Sequence, residues 1–358
     1  MNFFHLDSYL DRYIAGGVPG SDCMIMQHGK VIYRKCRGTA DVENNIPIRG
    51  NELCRIYSFS KAITCTAALQ LWEKGLFSLD DPLKKYLPEY ADMQILDSTG
   101  LHPAEKEITL FHLFTMTAGF TYNIKSANIL KVVQSTSGRC PTREIIRALA
   151  DDPLTFEPGT CWNYSLCHDV LAAVIEVISG TGFNDYVKEN IFSICGMPNS
   201  TFLPDAACLE KLNPFYRLGR DRQLIREYNN SLVPGPEYAS GGAGCISTIE
   251  EYMRFLEHLR TGKLLSGKTL SAMASNALTA EQLETFWRKG IYGFGLGVQC
   301  PIPGGSHSDF AWGNATGGFW CIDPENSLSL CYMQHLIAPL DDLPRQKIIE
   351  AVKKDLSL

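Results

Sequence analysis

A chain of 358 residues is long for one hydrophobic core, so one large domain with an insertion, or two domains, is expected. With 20% charged and 45% hydrophobic residues and a formal charge of -6, the composition is that of an ordinary soluble protein, and no basic tract argues for nucleic acid. Thirteen cysteines, an odd number with no C-x-x-C pair, and eight dispersed histidines leave no metal centre to expect; the thiols read as reduced, which suits the cytoplasm.

The first residues, Met1 to Asp7, have neither the basic nor the apolar region of a leader, and no apolar run reaches the length of a membrane span, so no membrane is expected. Leu6, Leu10, Tyr13 and Ile14 share one face of a first helix that stops at Gly16-Gly17. Cys23 to His28 and Lys30 to Arg37 read as a hairpin turning at Gly29, its second strand ending at Gly38.

The stretch Arg55-Ile56-Tyr57-Ser58-Phe59-Ser60-Lys61 then runs into residues that are apolar or small on every face as far as Trp72, the pattern of a helix covered all round. Ser58 and Lys61, three apart, should share the first turn within hydrogen-bond reach, where a partly desolvated lysine can take a proton from an otherwise weak serine nucleophile. First-turn N–H groups would face the developing negative charge. The plain alternative is a capping serine and a lysine that snorkels to water. This is the only S-x-x-K in the chain, and its helix is too apolar for a routine surface lysine.

From 78 to 236 the pattern turns to helices and long loops with almost no strand signal, and it reads as a mainly helical insertion into a sheet domain made of 1–77 and 237–358. Within it, Thr109 to Met116 predicts a helix closed at Gly119, Thr142 to Ala150 another, and Asp169 to Ser179 the clearest, stopped by Gly180. After Pro236 come the loop Gly241-Gly242-Ala243-Gly244 and a helix from about Thr248 to Leu259. Strands over Tyr292 to Gln299, Gly317 to Ile322 and Leu328 to Gln334 follow, then a final helix from Leu343 to Leu356. The fold class expected is α+β, an antiparallel sheet flanked by helices.

A serine and lysine pair needs a third group to carry the proton onward, and a tyrosine beside cations can serve. Tyr164, in a turn leading into the strongest helix, competes with Tyr228 in a polar loop. His168-Asp169 reads as helix capping more readily than as a dyad, and Gly241 to Gly244 lacks the strand and lysine of a phosphate cradle. No G-x-S-x-G elbow is present. Trp312 reads equally as core or as a pocket wall.

Four boxes occur in order: Arg55 to Lys61, Pro158 to Asp169, Gly241 to Gly244, and Trp312-Gly313-Asn314-Ala315-Thr316-Gly317. Together, over nearly the whole chain, they resemble the serine β-lactamase-related enzymes, and above all the family VIII carboxylesterases and related acyltransferases, which share the class C β-lactamase and penicillin-binding-protein fold. The resemblance implies that Ser58 is acylated, that Lys61 and Tyr164 handle its proton, and that the N–H groups of Ser58 and Ala315 form the oxyanion hole. It places Trp312, Gly313 and Asn314 at the substrate. Two departures stand out. Tyr164-Ser165-Leu166 replaces the Y-x-N of β-lactamases, and Trp312 stands where lactamases and peptidases place a cation before T-G. Asn314 departs even from the W-G-G of the esterases, and Lys268-Thr269-Leu270, at the start of a predicted helix, is a false third box. The expected activity is hydrolysis of small neutral esters, or acyl transfer, without a cofactor. A D-amino-acid peptidase or β-lactamase acting on amides, and a silent binding protein on the same scaffold, are the alternatives.

Overall fold

The computed structural model describes residues 2–305, 307–337 and 344–358. Leu343, the expected first residue of the last helix, lies outside them, and that helix runs Pro344–Leu356.

The first helix, α1 (Phe4–Ala15), buries Leu6 and Leu10 and closes on Gly16. Strands β1 (Gly20–Gln27) and β2 (Lys30–Asp41) pair antiparallel about a His28-Gly29 turn whose two residues both have positive φ, the twist that suits a tight hairpin. Gly38 does not end β2 as expected; the strand runs through it to Asp41 and pairs with Ile46–Pro47.

These strands form one side of an eight-stranded sheet in the order Gly293–Phe294, Gln299–Cys300, Phe310–Gly313, Phe319–Asp323, Leu328–Gln334, β1, β2, Ile46–Pro47, with antiparallel pairing throughout. Alternation along the strands divides the two faces. Cys23, Ile25, Leu330 and Tyr332 meet α1 and the last helix, whereas Met24, Trp320, Cys331 and Met333 face the larger core. Leu328–Gln334 is buried along its whole length, which is why it reads as an unbroken strand.

The larger core is built round α2 (Ser60–Glu73), buried from Ser60 to Leu69. The helix Cys167–Ser179 packs on it, and Thr142–Ala150 and Ile249–Arg260 add their buried residues to the same core. Each buried Leu or Ile there contributes about 1.5–3 kcal/mol of transfer free energy, so this helix is fixed by tertiary burial more than by local propensity.

Three further expectations need correction. The helix Leu110–Thr115 is closed by Met116, itself left-handed at φ 55°, three residues before Gly119. Tyr292 to Gln299 is two pairs of paired residues joined by a turn, not one strand; Gly297 there has φ +92°, and a Cβ on it would lie 2.2 Å from Cys65 Sγ. Within 78–236 lie two short strand pairs, Gln94–Asp97 with Gly100–Pro103 and Phe215–Leu218 with Leu224–Glu227. Their signal is weak because they are only half covered: Leu96 and Leu101 are 54% and 65% exposed.

Candidate active site

Ser58 does not stand in the α-helix. It belongs to a 3-10 turn, Tyr57–Phe59, that feeds α2. Tyr57 is left-handed at φ 46°, a conformation that costs a non-glycine residue on the order of 1–2 kcal/mol, and its buried ring is held edge-on against Phe215. This strained residue turns the chain so that Ser58 lines a cavity of about 560 Å³.

The turn and helix are stitched to the glycine loop. Ile56 N–H donates to Cys245 O (3.1 Å), Cys245 N–H to Ser60 Oγ (3.0 Å) and Thr64 Oγ1 to Gly241 O (2.8 Å). Lys61 is fully buried, and its Nζ donates to Gly242 O at 2.7 Å and to Tyr122 OH at 3.4 Å. Gly242 allows this approach: a Cβ there would lie 2.4 Å from Asp169 Oδ2 and 3.3 Å from Lys61 Nζ. The loop that reads as a failed phosphate cradle is the seat of the lysine.

Among the hydrogen bonds of the described residues, none joins Lys61 Nζ to Ser58 Oγ, contrary to the spacing argument, because the serine lies in the tighter turn and the amine is drawn to Gly242. The partner of Ser58 is Tyr164: Oγ and the phenol oxygen are 2.6 Å apart. Lys61 Nζ stands 4.6 Å from the centre of the Tyr164 ring and 5.1 Å from that of Tyr122, so the three groups form one unit. The tyrosine loop is tied on both sides. Asn163 Nδ2 donates to Phe120 O (2.8 Å) and Leu166 N–H to Thr121 O (3.2 Å), while Trp162 N–H donates to Thr285 Oγ1 (2.8 Å). Tyr228 is 73% exposed and its ring meets Arg226, so the structure does not bring it to Ser58.

Tyr122 has no motif to announce it. Its ring stacks on Tyr164 at 5.1 Å and 7°, and burial, with Tyr164 and Asp169 nearby, pushes its phenol well above the ordinary range. Trp287 is the second residue missed. It follows the short helix Ala280–Thr285 and packs on Tyr164 (5.0 Å), Trp162 (5.0 Å) and Trp312 (6.0 Å). Trp312 is both core and wall: 3% exposed, it lines the cavity within this aromatic cluster, where each pair adds about 0.5–1.5 kcal/mol.

His168 and Asp169 do not cap the helix Cys167–Ser179, whose first turn has no side-chain cap. Both are buried. His168 Nε2 meets Phe114 O, and burial with the Lys61 charge pushes its imidazole down to about 3. Asp169 accepts from Ser240 Oγ (2.6 Å) and Tyr238 OH (2.9 Å), which pins the glycine loop; burial raises its carboxyl, opposed by Lys61.

Gly313 closes the strand Phe310–Gly313, and Asn314 begins the turn to Phe319–Asp323. Asn314 Oδ1 accepts from Thr316 N–H (3.1 Å), Thr316 Oγ1 (2.9 Å) and Gly318 N–H (2.9 Å), while Nδ2 donates to Ile56 O (3.2 Å). Its amide thus braces the turn that carries Ala315 against the segment entering Ser58. Ala315 is exposed to the same cavity, and neither its N–H nor that of Ser58 makes a hydrogen bond among the described residues. Asn314→Ala should lower stability by about 1–3 kcal/mol, because Thr316 and Gly318 lose the acceptor of their N–H groups. Urea unfolding measures this; a midpoint equal to the parent's would mean that the turn holds itself.

Among the described residues no group of acids, histidines and cysteines could hold a metal ion, and no single helix is long and apolar enough to cross a membrane.

The family model described as Beta-lactamase matches residues 6–350. Esterase EstB of Burkholderia gladioli is 29% identical over 341 residues, covering 87% of this chain and 84% of that protein. Acyltransferase calJ of Penicillium decumbens is 29% identical over 313 residues, covering 82% and 72%. The solved structure of EstCE1, described as a hydrolase with promiscuous acyltransferase activity, superposes with a TM-score of 0.81 over 97% of each chain, at 23% identity, which speaks for the fold. On the match over nearly its whole length, the chain belongs to the Beta-lactamase family and is a serine hydrolase.

Proposed function

We propose that this enzyme cleaves small esters, neutral around the reacting carbonyl, through an acyl-Ser58 intermediate, and that an alcohol or amine can replace water as the acceptor. The observation that carries this reading is the 2.6 Å contact of Ser58 Oγ with the Tyr164 hydroxyl, with buried Lys61 over the tyrosine ring. Tyr164 acts in its phenolate form, stabilised by the Lys61 charge, and takes the proton as Ser58 Oγ bonds to the ester carbon, becoming the neutral phenol. The carbonyl oxygen, now negative, is held between the Ser58 and Ala315 N–H groups. As the bond to the alkoxy oxygen breaks, Tyr164 returns the proton to the leaving alcohol. Water or a second alcohol then repeats the sequence in reverse on the acyl-serine. Trp312 and Gly313 would flank the substrate, with Asn314 acting through the turn.

The names of EstB and calJ, an esterase and an acyltransferase, support both fates of the acyl group. On the same proposal, residues 78–236 form a mainly helical insertion that carries Tyr164, and the enzyme works in the cytoplasm, a setting that thirteen unpaired cysteines suit.

A fluorophosphonate probe should label Ser58, seen as one modified peptide by mass spectrometry. Labelling elsewhere, or none, would remove the acyl-serine step. Lys61→Ala and Tyr164→Phe should each slow acylation by about 10²-fold or more, with a double variant far less than multiplicative. Tyr228→Phe should leave the rate near the parent value; the opposite ranking of the two tyrosines would transfer the role.

A further inference from the structure

The cavity that opens at Ser58 does not end in the aromatic cluster. Its wall continues to Arg288, Gln299, Phe319 and Arg345. Arg345 comes from the helix Pro344–Leu356, and its side chain is 4% exposed. Its guanidinium lies 4.9 Å from the centre of the Tyr292 ring and 6.0 Å from that of Phe319. The carboxylate beside it, Asp309, is 3.6 Å away, too far for a hydrogen bond, and is shared with His307 at 3.4 Å. Nε and Nη2 of Arg345 have no hydrogen-bond partner among the described residues.

Arg288, half-buried, has no carboxylate within ion-pair distance among the described residues, and burial together with the like charge of Arg345 pushes its guanidinium down to about 10. Gln299 is 1% exposed, and its Nε2 donor is unpaired as well. Two desolvated guanidinium groups and an orphaned amide thus line one cavity, and among the described residues Asp309 faces Arg345 while Arg288 has no carboxylate within ion-pair distance. Buried donors and cations without counter-charge are costly, and an entering anion offsets that cost.

We infer that this end of the cavity is a carboxylate-binding subsite, so that the favoured substrates are esters uncharged around the scissile carbonyl and anionic at their far end. Arginine suits a planar carboxylate because its fork can donate two parallel hydrogen bonds. The inference rests on the serine hydrolase reading above and extends it to a substrate class. The carboxylate can belong to the acyl chain, as in a half-ester of a dicarboxylic acid, or to the alcohol, as in an acylated hydroxy acid.

The test compares each charged ester with its uncharged amide isostere in one enzyme preparation. On the acyl side the pair is monomethyl adipate and methyl adipamate, with the suberic acid pair for a longer reach. On the alcohol side it is the butyryl ester of ω-hydroxyhexanoate and of its amide. In the parent enzyme kcat/KM should favour the acid over the amide roughly ten-fold or more in at least one pair, the scale of a charge-assisted bidentate contact. Arg288→Gln and Arg345→Gln should each cut that ratio to about three-fold or less, while Arg345→Lys should retain part of it. Arg345 is buried and its glutamine variant could misfold; Arg288, on a half-exposed turn, keeps the test open. Equal rates on acid and amide in every pair would overturn the subsite, and so would an acid preference untouched by Arg288→Gln. Hydrolysis of the amides in those cases would leave the ester hydrolase reading standing, whereas no turnover of any ester would count against both.

Discussion

Ser58→Ala is expected to lower turnover of an activated ester by roughly 10⁴-fold or more, with the fold intact. Among the described residues no second hydroxyl stands in its place. Ser60 Oγ, two residues on, is fully buried and accepts the Cys245 N–H, so it cannot reach the cavity without breaking the stitch between α2 and the glycine loop. Tyr164, the other hydroxyl in contact, carries the proton in the proposed cycle and would lose its partner with the serine. Initial rates on p-nitrophenyl butyrate, with circular dichroism as the control for folding, measure the effect. A variant that kept more than a tenth of the parent rate would remove Ser58 from the chemistry.

The second large effect concerns substrate choice. Penicillins should be hydrolysed at least about 10³-fold more slowly than short neutral esters, compared as kcat/KM. The carboxylate of a β-lactam sits close to the reacting carbonyl. Trp312 stands where the lactamases place their cation, and Asn314, Tyr164 and Trp287 beside it in the cavity wall are uncharged side chains. Asn314 is committed to its own turn and to Ile56, and Trp312 is packed on Tyr164 at 5.9 Å and Phe294 at 5.4 Å. An anion left unpaired beside these rings costs several kcal/mol, which is several powers of ten in rate. The Arg345 guanidinium lies over the rings of Tyr292 and Phe319, and no ring of that cluster is among its partners in the described residues. Parity of nitrocefin or penicillin with p-nitrophenyl butyrate would show that another group receives the carboxylate.

These two effects differ in what they draw on. The serine result depends on a local contact, and the substrate result on a wall assembled from three separate segments. An amide substrate without a carboxylate would escape the second penalty, so a slow reaction on neutral D-amino-acid amides is compatible with the site. The ratio of lactam to ester rates, rather than the ester rate alone, therefore discriminates among members of the family.

Much of this protein was legible along the chain because its decisive signals are local. An all-round apolar run has only one stable place, inside the protein, so the central helix and its out-of-place lysine could be read from Ser58 to Trp72. Periodicity likewise announced α1, since burial on one side imposes a 3.6-residue repeat. The four ordered boxes carried the family. What sequence could not determine is everything that depends on distance through space. Spacing placed Lys61 against Ser58, but the tighter turn at Tyr57–Phe59 and the pull of Gly242 O put Tyr164 there instead. Tyr122 and Trp287 follow no motif, because an aromatic ring in a loop becomes part of a site only when other segments close over it. Asn314 read as a contact to substrate, and only the folded turn shows its amide spent on Thr316, Gly318 and Ile56. Arg288 and Arg345 lie 57 residues apart in the chain, and their meeting at one cavity is a property of tertiary packing alone.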